Sequence, residues 1–294
     1  MIKFTDADLI RLNEQYAYED IPYHARPLRA AGDILGGEFS IGTFANPVVT
    51  EINTAYTRLF PEVSFTWPGM GTGITASIDR VKKVTIGAMY GRVSLTPSKA
   101  LGFNSDQEWW DWCGRNVLVA NRSAYAFADM FDLVQGIDDK RHSEDVTFWG
   151  LACDNLRILT ESLSLSSAVS GVVLQPICLT AELAMKGTLL KLGVTEQELR
   201  DGKKFGHSLE KLAVCMTQKR SHRDDTLLLE AISRFPNYVQ SRYNETSMTR
   251  LQVIGLALDA QFIAASSVRR MCTERDIALQ LETTQPGPRA NFFS

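Results

Sequence analysis

The residues best suited to chemistry lie between positions 200 and 223, where basic side chains are concentrated. This segment holds seven lysines and arginines but only two acids, Asp201 and Glu210, although the whole chain has a net charge of −3. Clustered basic side chains bind the phosphates of RNA or of a nucleotide and release counterions as they do so. We therefore predict a phosphate-binding set in this segment, consisting of Lys203, Lys204, Lys211, Lys219, Arg220 and Arg223.

A second interpretation of the same charge run stays open. Runs of basic residues are also typical of a solvated helix face and loop that hold no ligand. Phe205 is the only phenylalanine, tyrosine or tryptophan between positions 200 and 223. A platform on which single-stranded bases stack needs more aromatic side chains than that, so the segment itself does not predict one.

Two amphipathic helices must position this segment. The first carries apolar or small residues at spacings of three and four, which predicts one buried face; these are Ala181, Ala184, Met185, Thr188, Leu189 and Leu192. Glu182 and Lys186 are four residues apart in the favourable order, on a face of their own. Gly193 follows as a helix terminator, and Thr195 with Glu198 matches a capping box. The second helix is predicted to open at Gly206-His207-Ser208.

These two helices resemble the HEPN family, named for higher-eukaryote and prokaryote nucleotide binding. Residues 182–189 match its pattern Glu-Leu-x-x-Lys-x-x-Leu, and residues 206–212 match its helix start Gly-His-x-Leu-x-x-Leu. The pair Arg242-Tyr243 extends the resemblance, which covers about residues 148–281. The segment 1–104 resembles no family known to us.

The resemblance implies a helical bundle that forms a homodimer, with a basic groove near the two-fold axis. It also implies binding of RNA or nucleotide phosphates, of the kind found in prokaryotic defence and toxin-type systems. A dimeric helical scaffold without any nucleic-acid role is a further alternative.

An endoribonuclease that needs no metal is another alternative, because the resembled family includes such enzymes. They place four to six residues between an arginine and a later histidine, and Arg200 and His207 have six residues between them. A histidine can take the proton of a 2′-hydroxyl, and an arginine can hold the phosphate that this hydroxyl attacks. His207 equally matches the helix start found in members without nuclease activity, where it anchors the helix. The usual late position of the nuclease motif holds Arg242-Tyr243 and no histidine.

Composition limits the remaining classes of function. The five cysteines form no CxxC pair, so we predict neither a zinc site nor a disulfide framework, and no metal or cofactor. The N-terminus lacks the basic and apolar regions of a signal peptide, and no apolar run reaches the length of a membrane span. We therefore expect a cytoplasmic protein with no membrane partner.

The fold class predicted from these patterns is mostly α. We expect a small α+β extension at residues 1–104, a HEPN-like helical bundle at 105–281 and a disordered tail at 282–294. The strand candidates in the extension are Val63–Trp67, Val84–Ile86 and Arg92–Thr96. The glycine-rich residues 68–73 lack the spacing of a phosphate-binding loop, so we predict a turn between strands there.

Overall fold

A computed structural model describes residues 4–38, 46–89, 94–165, 173–236, 248–272, 276–284 and 286–290. The chain is mostly helical, with a two-stranded antiparallel sheet, which confirms the predicted class at this coarse level. It divides into two compact units, Met1–Pro68 and Gly69–Ser294. The division therefore falls well before the boundary expected near residue 104, and the two strands belong to the second unit.

The first unit is helical where the structure describes it. Its helices are α1 (Asp6–Tyr18), α2 (Arg26–Leu35) and α3 (Pro47–Leu59). Thr5 and Asp8 cap α1 reciprocally, as their spacing predicted. The strand expected at Val63–Trp67 does not form. Phe65 instead packs edge-to-face on the buried Tyr56, with ring centroids 5.2 Å apart, so its side chain joins the helical core of this unit.

The second unit combines a β-hairpin with a helical bundle. Its elements in chain order are β1 (Gly71–Ser77), β2 (Arg80–Ile86), α4 (Pro97–Ala100), α5 (Asp106–Trp112), α6 (Val117–Lys140), α7 (Thr147–Leu165), α8 (Leu174–Lys191), α9 (Glu196–Arg200), α10 (Leu209–Lys219), α11 (Asp225–Ser233), α12 (Arg250–Arg269) and α13 (Ile277–Glu282).

Helix α12 is the centre of the bundle and packs against α6, α7, α8, α11 and β1. By length and composition it could cross a membrane, with a mean hydropathy of 1.5 over the most apolar window. However, 89% of that window is buried inside the unit, as is typical of a central core helix. Helix α12 ends at Arg269, and α13 is a separate short helix.

The hairpin lies directly on α6 and α12 because β1 begins with glycines. A Cβ atom at Gly71 would overlap Val134, and one at Gly73 would overlap Gln261. The side chain of Gln261 on α12 forms two hydrogen bonds with the backbone of Ile74 in β1. Its Oε1 accepts from the Ile74 amide at 2.9 Å, and its Nε2 donates to the Ile74 carbonyl at 3.1 Å. The glycine-rich stretch, expected to be a turn, thus runs into the strand itself. The glycines of this stretch allow β1 to pack closely against α6 and α12.

Glycines have different roles at two points of the first long helical stretch. Gly114 and Arg115 adopt left-handed φ values of 65° and 55° and separate α5 from α6. Helix α6 then continues through Gly136 to Lys140. Gly136 sits against Val268 with no room for a side chain, so glycine marks a helix contact there.

The described part of the tail, residues 286–290, lies against α6, in contrast to the expectation of disorder. The hydroxyl of Tyr125 donates to the Gly287 carbonyl at 2.9 Å, and Asn121 Nδ2 donates to the Pro288 carbonyl at 2.9 Å. Arg289 donates to both carboxylate oxygens of Asp129 and stacks over the Tyr125 ring. These contacts anchor the tail on the bundle, although its sequence contains no apolar pattern.

Candidate functional site

Helix α8 and the start of α10 form the candidate site. Gly193, with φ of +82°, lies just past the end of α8 as predicted, and the capping box of Thr195 and Glu198 starts α9. The cap of α10 is Ser208 and not His207, because Ser208 Oγ accepts from the Lys211 amide at 3.3 Å. His207 is therefore the residue before the cap, and its side chain makes different contacts.

His207 is bound to Glu182 of α8. Its Nδ1 lies 3.0 Å and 3.2 Å from the two carboxylate oxygens of Glu182. Lys186, one turn further along α8, donates to Glu182 Oε1 at 2.7 Å. The side chains of Glu182 and Lys186 are only 3% and 11% exposed, whereas that of His207 is 55% exposed. The predicted Glu182–Lys186 pair thus forms, but it is buried beneath the histidine.

This arrangement sets the hydrogen-bonding roles of the imidazole. A carboxylate that receives a hydrogen bond from a lysine ammonium is ionised and can only accept. Nδ1 of His207 must therefore carry a proton and donate to Glu182. In the neutral ring Nε2 is then the acceptor atom, and in the imidazolium it is a donor suited to an anion. Such a ring can take a proton from a ligand or bind its phosphate.

A groove of about 830 Å³ opens beside His207, between the elbow (residues 201–208, which join α9 to α10) and α11. Ser208, Glu210 and Ser233 also contribute polar groups to its lining. Most of the described residues that line it are apolar or glycine, namely Gly202, Phe205, Gly206, Leu209, Val214, Leu229, Ile232, Phe235 and Pro236. The groove lies within the size range of small-ligand sites.

Arg200, the other residue of the ribonuclease hypothesis, faces elsewhere. Its side chain is 79% exposed and donates to Glu196 at 2.8 Å on α9. It lines a separate depression with Gln197, Glu198 and Asp201. The structure therefore does not place Arg200 in the groove that His207 lines. Six intervening residues were compatible with a shared site, but α9 directs the arginine to a different surface.

Acids from outside the segment neutralise part of the predicted phosphate-binding set. Lys204 pairs with Glu198, and this contact holds the pKa of that carboxyl at about 2. Arg223 donates to Asp276 at 2.5 Å and 2.7 Å and to Glu282 at 3.1 Å. A count of charges along the sequence could not include these partners, and it overstates the local positive potential.

The rest of the predicted set is exposed and has no carboxylate partner within the described residues: Lys203, Lys211, Lys219 and Arg220. The Lys211 ammonium donates to the Lys203 carbonyl at 2.9 Å, which draws α10 and the elbow together. Lys219 donates to the Leu192 carbonyl at 3.3 Å, at the other end of α10. These basic groups thus lie at both ends of α10.

A second ionic cluster, which we call the Arg269 cluster, lies deeper in the same unit. Arg269 contacts Asp129, Asp132 and Asp224 at 2.6, 2.7 and 3.3 Å, and Arg289 also contacts Asp129. Burial raises the pKa of Asp132 to about 6. The pKa of Asp224 is lowered despite its burial, because His222 and Arg269 stabilise its carboxylate. No local spacing in the sequence indicates this cluster, because Arg269 is 45 residues from Asp224 and 137 and 140 residues from Asp132 and Asp129.

Neither metal nor thiol chemistry is indicated by the described residues. They contain no group of three or more histidine, cysteine, aspartate or glutamate side chains placed to hold a metal ion. The five cysteines are free, and burial raises the pKa of Cys153 and of Cys178 to about 12, far from that of a reactive thiolate. The Arg242-Tyr243 pair of the resemblance lies outside the described residues.

Comparison of the chain with protein-family models, with curated proteins and with solved structures found no match.

Proposed function

We propose that the second unit, Gly69–Ser294, binds RNA or nucleotide phosphates at the elbow, with His207 as the central contact residue. One observation carries this proposal: the half-exposed His207 is fixed by the buried Glu182 at the mouth of a groove. A buried carboxylate that orients an accessible imidazole is a common device for proton transfer and anion binding. Lys203 and Lys211 supply positive charge at the same elbow.

Salt dependence of binding tests this proposal directly. We expect a short labelled RNA to bind in fluorescence anisotropy, and the logarithm of its affinity should fall linearly as the logarithm of salt concentration rises. The double change Lys203→Glu, Lys211→Glu should weaken binding at every RNA sequence. The matched control is Lys83→Glu, Lys99→Glu, which reverses two exposed lysines away from the elbow. Equal binding by the two double variants, or no RNA binding by the unchanged protein, would refute the proposal.

A metal-independent endoribonuclease is the second candidate, and the Glu182–His207 contact favours it. Nε2 of His207 has the acceptor role that a general base needs. The ribonuclease hypothesis also requires Arg200 to bind the phosphate. For that, Arg200 would have to break its hydrogen bond with Glu196. Incubation of RNA with the protein in EDTA tests this candidate. Cleavage that disappears with His207→Ala and persists with Arg200→Ala would support a nuclease that uses the histidine alone.

A homodimer is part of the same proposal, since it follows from the HEPN resemblance. Sedimentation equilibrium is its test, and we expect a species near twice the monomer mass of 32.8 kDa. If the protein is a monomer at all concentrations, the homodimer and its groove near the two-fold axis are refuted. Phosphate binding at the elbow is not affected by that result.

A further inference from the structure

We propose that the groove beside His207 takes a nucleobase, so that the protein binds unpaired nucleotides and excludes duplex RNA. This inference rests on the proposed function, because the phosphates attached to that base would be held at the elbow. To the proposed phosphate binding it adds where the base binds and that the nucleic acid is single-stranded.

The walls of the groove suit a flat, weakly polar group. Val214 and Leu229 line the groove and are each 39% exposed, so their apolar surface is accessible to a ligand. Phe235, half-buried, and Pro236 complete this apolar side. Apolar and aromatic side chains beside a few polar groups are the usual lining of a small-ligand site, and a phenyl ring stacks on any base.

The charges of the groove restrict which part of a nucleotide can enter. No lysine or arginine is among the described residues that line it, and Glu210 adds a negative charge. Apart from His207 at its mouth, the described lining therefore offers a phosphate no cationic group, whereas an uncharged base needs none. The lysines without carboxylate partners, Lys203 and Lys211, lie at the elbow outside the lining. The distribution of charge thus separates a base subsite from a phosphate subsite.

The two subsites are adjacent on α10. Lys211 and Val214 are three residues apart, so their side chains are neighbours on the helix surface. His207 lies at the boundary, since it lines the groove and belongs to the elbow. A ligand whose phosphate meets Lys211 therefore brings its base toward Val214 and Phe235. Bases of a duplex are paired and stacked internally, so they could not enter in this way.

The matched test compares ligands that differ only in their bases. A labelled five-nucleotide single strand, an abasic strand with the same number of phosphates, and a duplex of the same sequence are titrated in anisotropy. We expect the single strand to bind about tenfold or more tightly than the abasic strand, in line with the known strength of base stacking. The duplex should bind no better than the abasic strand.

Two variants locate the base. Phe235→Ala and, separately, Val214→Ser should remove the preference for the single strand and leave binding of the abasic strand unchanged. Val214 is partly exposed, so Val214→Ser keeps the test valid if Phe235→Ala does not fold. Leu118→Ser, at an exposed position on α6 outside the groove, is the control and should keep the full preference.

The outcomes separate this inference from the proposed function. If the abasic strand and the single strand bind equally well, the base subsite is refuted while phosphate binding at the elbow stands. The same holds if both variants retain the preference of the unchanged protein. If none of the three ligands binds, the proposed function fails and the base subsite fails with it.

Discussion

Two ionic clusters within the helical unit have similar components and different surroundings. The Arg269 cluster is closed: Arg269, Asp129 and Asp132 each expose 3% or less of their side chains, and Asp224 and Arg289 expose 6% and 7%. The Glu182 cluster consists of Glu182, Lys186 and His207. Its carboxylate is equally buried, but its imidazole is half-exposed. Both clusters contain buried charge, so buried charge alone does not distinguish them. The Glu182 cluster differs because its buried carboxylate orients an exposed titratable group beside a groove, and the proposed site rests on that difference.

The largest effect on stability is expected from the closed cluster. Arg269→Met would leave Asp129, Asp132 and Asp224 without their shared cation, and breaking a buried ion pair costs about 3–5 kcal/mol. Urea denaturation measures the free energy of unfolding. Arg157→Met is the control, because Arg157 is half-exposed and lies 4.0 Å from Glu161, so its loss should cost no more than about 0.5 kcal/mol. Similar losses for both variants would show that the closed cluster contributes no special stability.

The second effect is a pH dependence of the unfolding free energy, caused by Asp132 of the Arg269 cluster. Burial raises the pKa of Asp132 to about 6 from an ordinary value of 3.8, so the folded protein holds this proton more tightly than the unfolded chain does. Stability from this group is therefore fully present below pH 3.8 and is lost as the pH rises through about 6, by up to about 3 kcal/mol.

Comparison with Asp132→Asn isolates this effect from other carboxylates. The unfolding free energy of the two proteins is measured at pH 4.5, 5.5 and 7. We expect the unchanged protein to lose stability relative to the variant as the pH rises across this range. Parallel pH profiles would place the pKa of Asp132 at its ordinary value.

A smaller loss of stability is expected from the open cluster. Glu182→Leu leaves the ammonium of Lys186 buried without its carboxylate, at a cost of about 1–3 kcal/mol. The double change Glu182→Leu, Lys186→Met should recover most of that loss, because an apolar pair can replace a buried ion pair. RNA binding should stay weakened in the double variant, since His207 has lost its orienting group. Full recovery of binding would show that Glu182 has only a structural role.

The smallest effect on stability is expected from His207 itself. His207→Gln should change the free energy of unfolding by about 0.5 kcal/mol or less, because the side chain is 55% exposed. RNA affinity should nevertheless fall about tenfold, the usual value of a hydrogen bond to a charged group. An unfolding penalty as large as that of Arg269→Met would place His207 with the structural residues.

Local signals in the sequence predicted the local structure well. Thr5, Thr195 and Gly193 lie at the helix ends that their residue types indicated, and the Glu182–Lys186 pair forms. Periodicity cannot show which helices face each other, so the burial of that pair under His207, 25 residues away, was not predictable. The contact between Arg289 and Asp129, which are 160 residues apart, was not predictable for the same reason.

The sequence indicates only part of the candidate site. His207, Lys203 and Lys211 are close along the chain and lie on neighbouring parts of the structure, since α9, the elbow and α10 follow one another directly. Arg200 was grouped with them on spacing, but the short helix α9 directs its side chain to another surface. The apolar side of the groove comes from α11 and the residues after it, which carry no chemical signal in the sequence.

The position of α12 has a consequence for biosynthesis. This helix fills the centre of the unit, yet it is synthesised after β1, α6, α7, α8 and α11, which all pack against it. Ile74 in strand β1 is hydrogen-bonded by Gln261, which is synthesised 187 residues later. At ordinary translation speeds that delay is about 10–40 s, during which the growing chain exposes the surface that α12 will cover. We expect chaperone contact during synthesis to begin soon after the hairpin emerges and to end only when Gln261 has been translated.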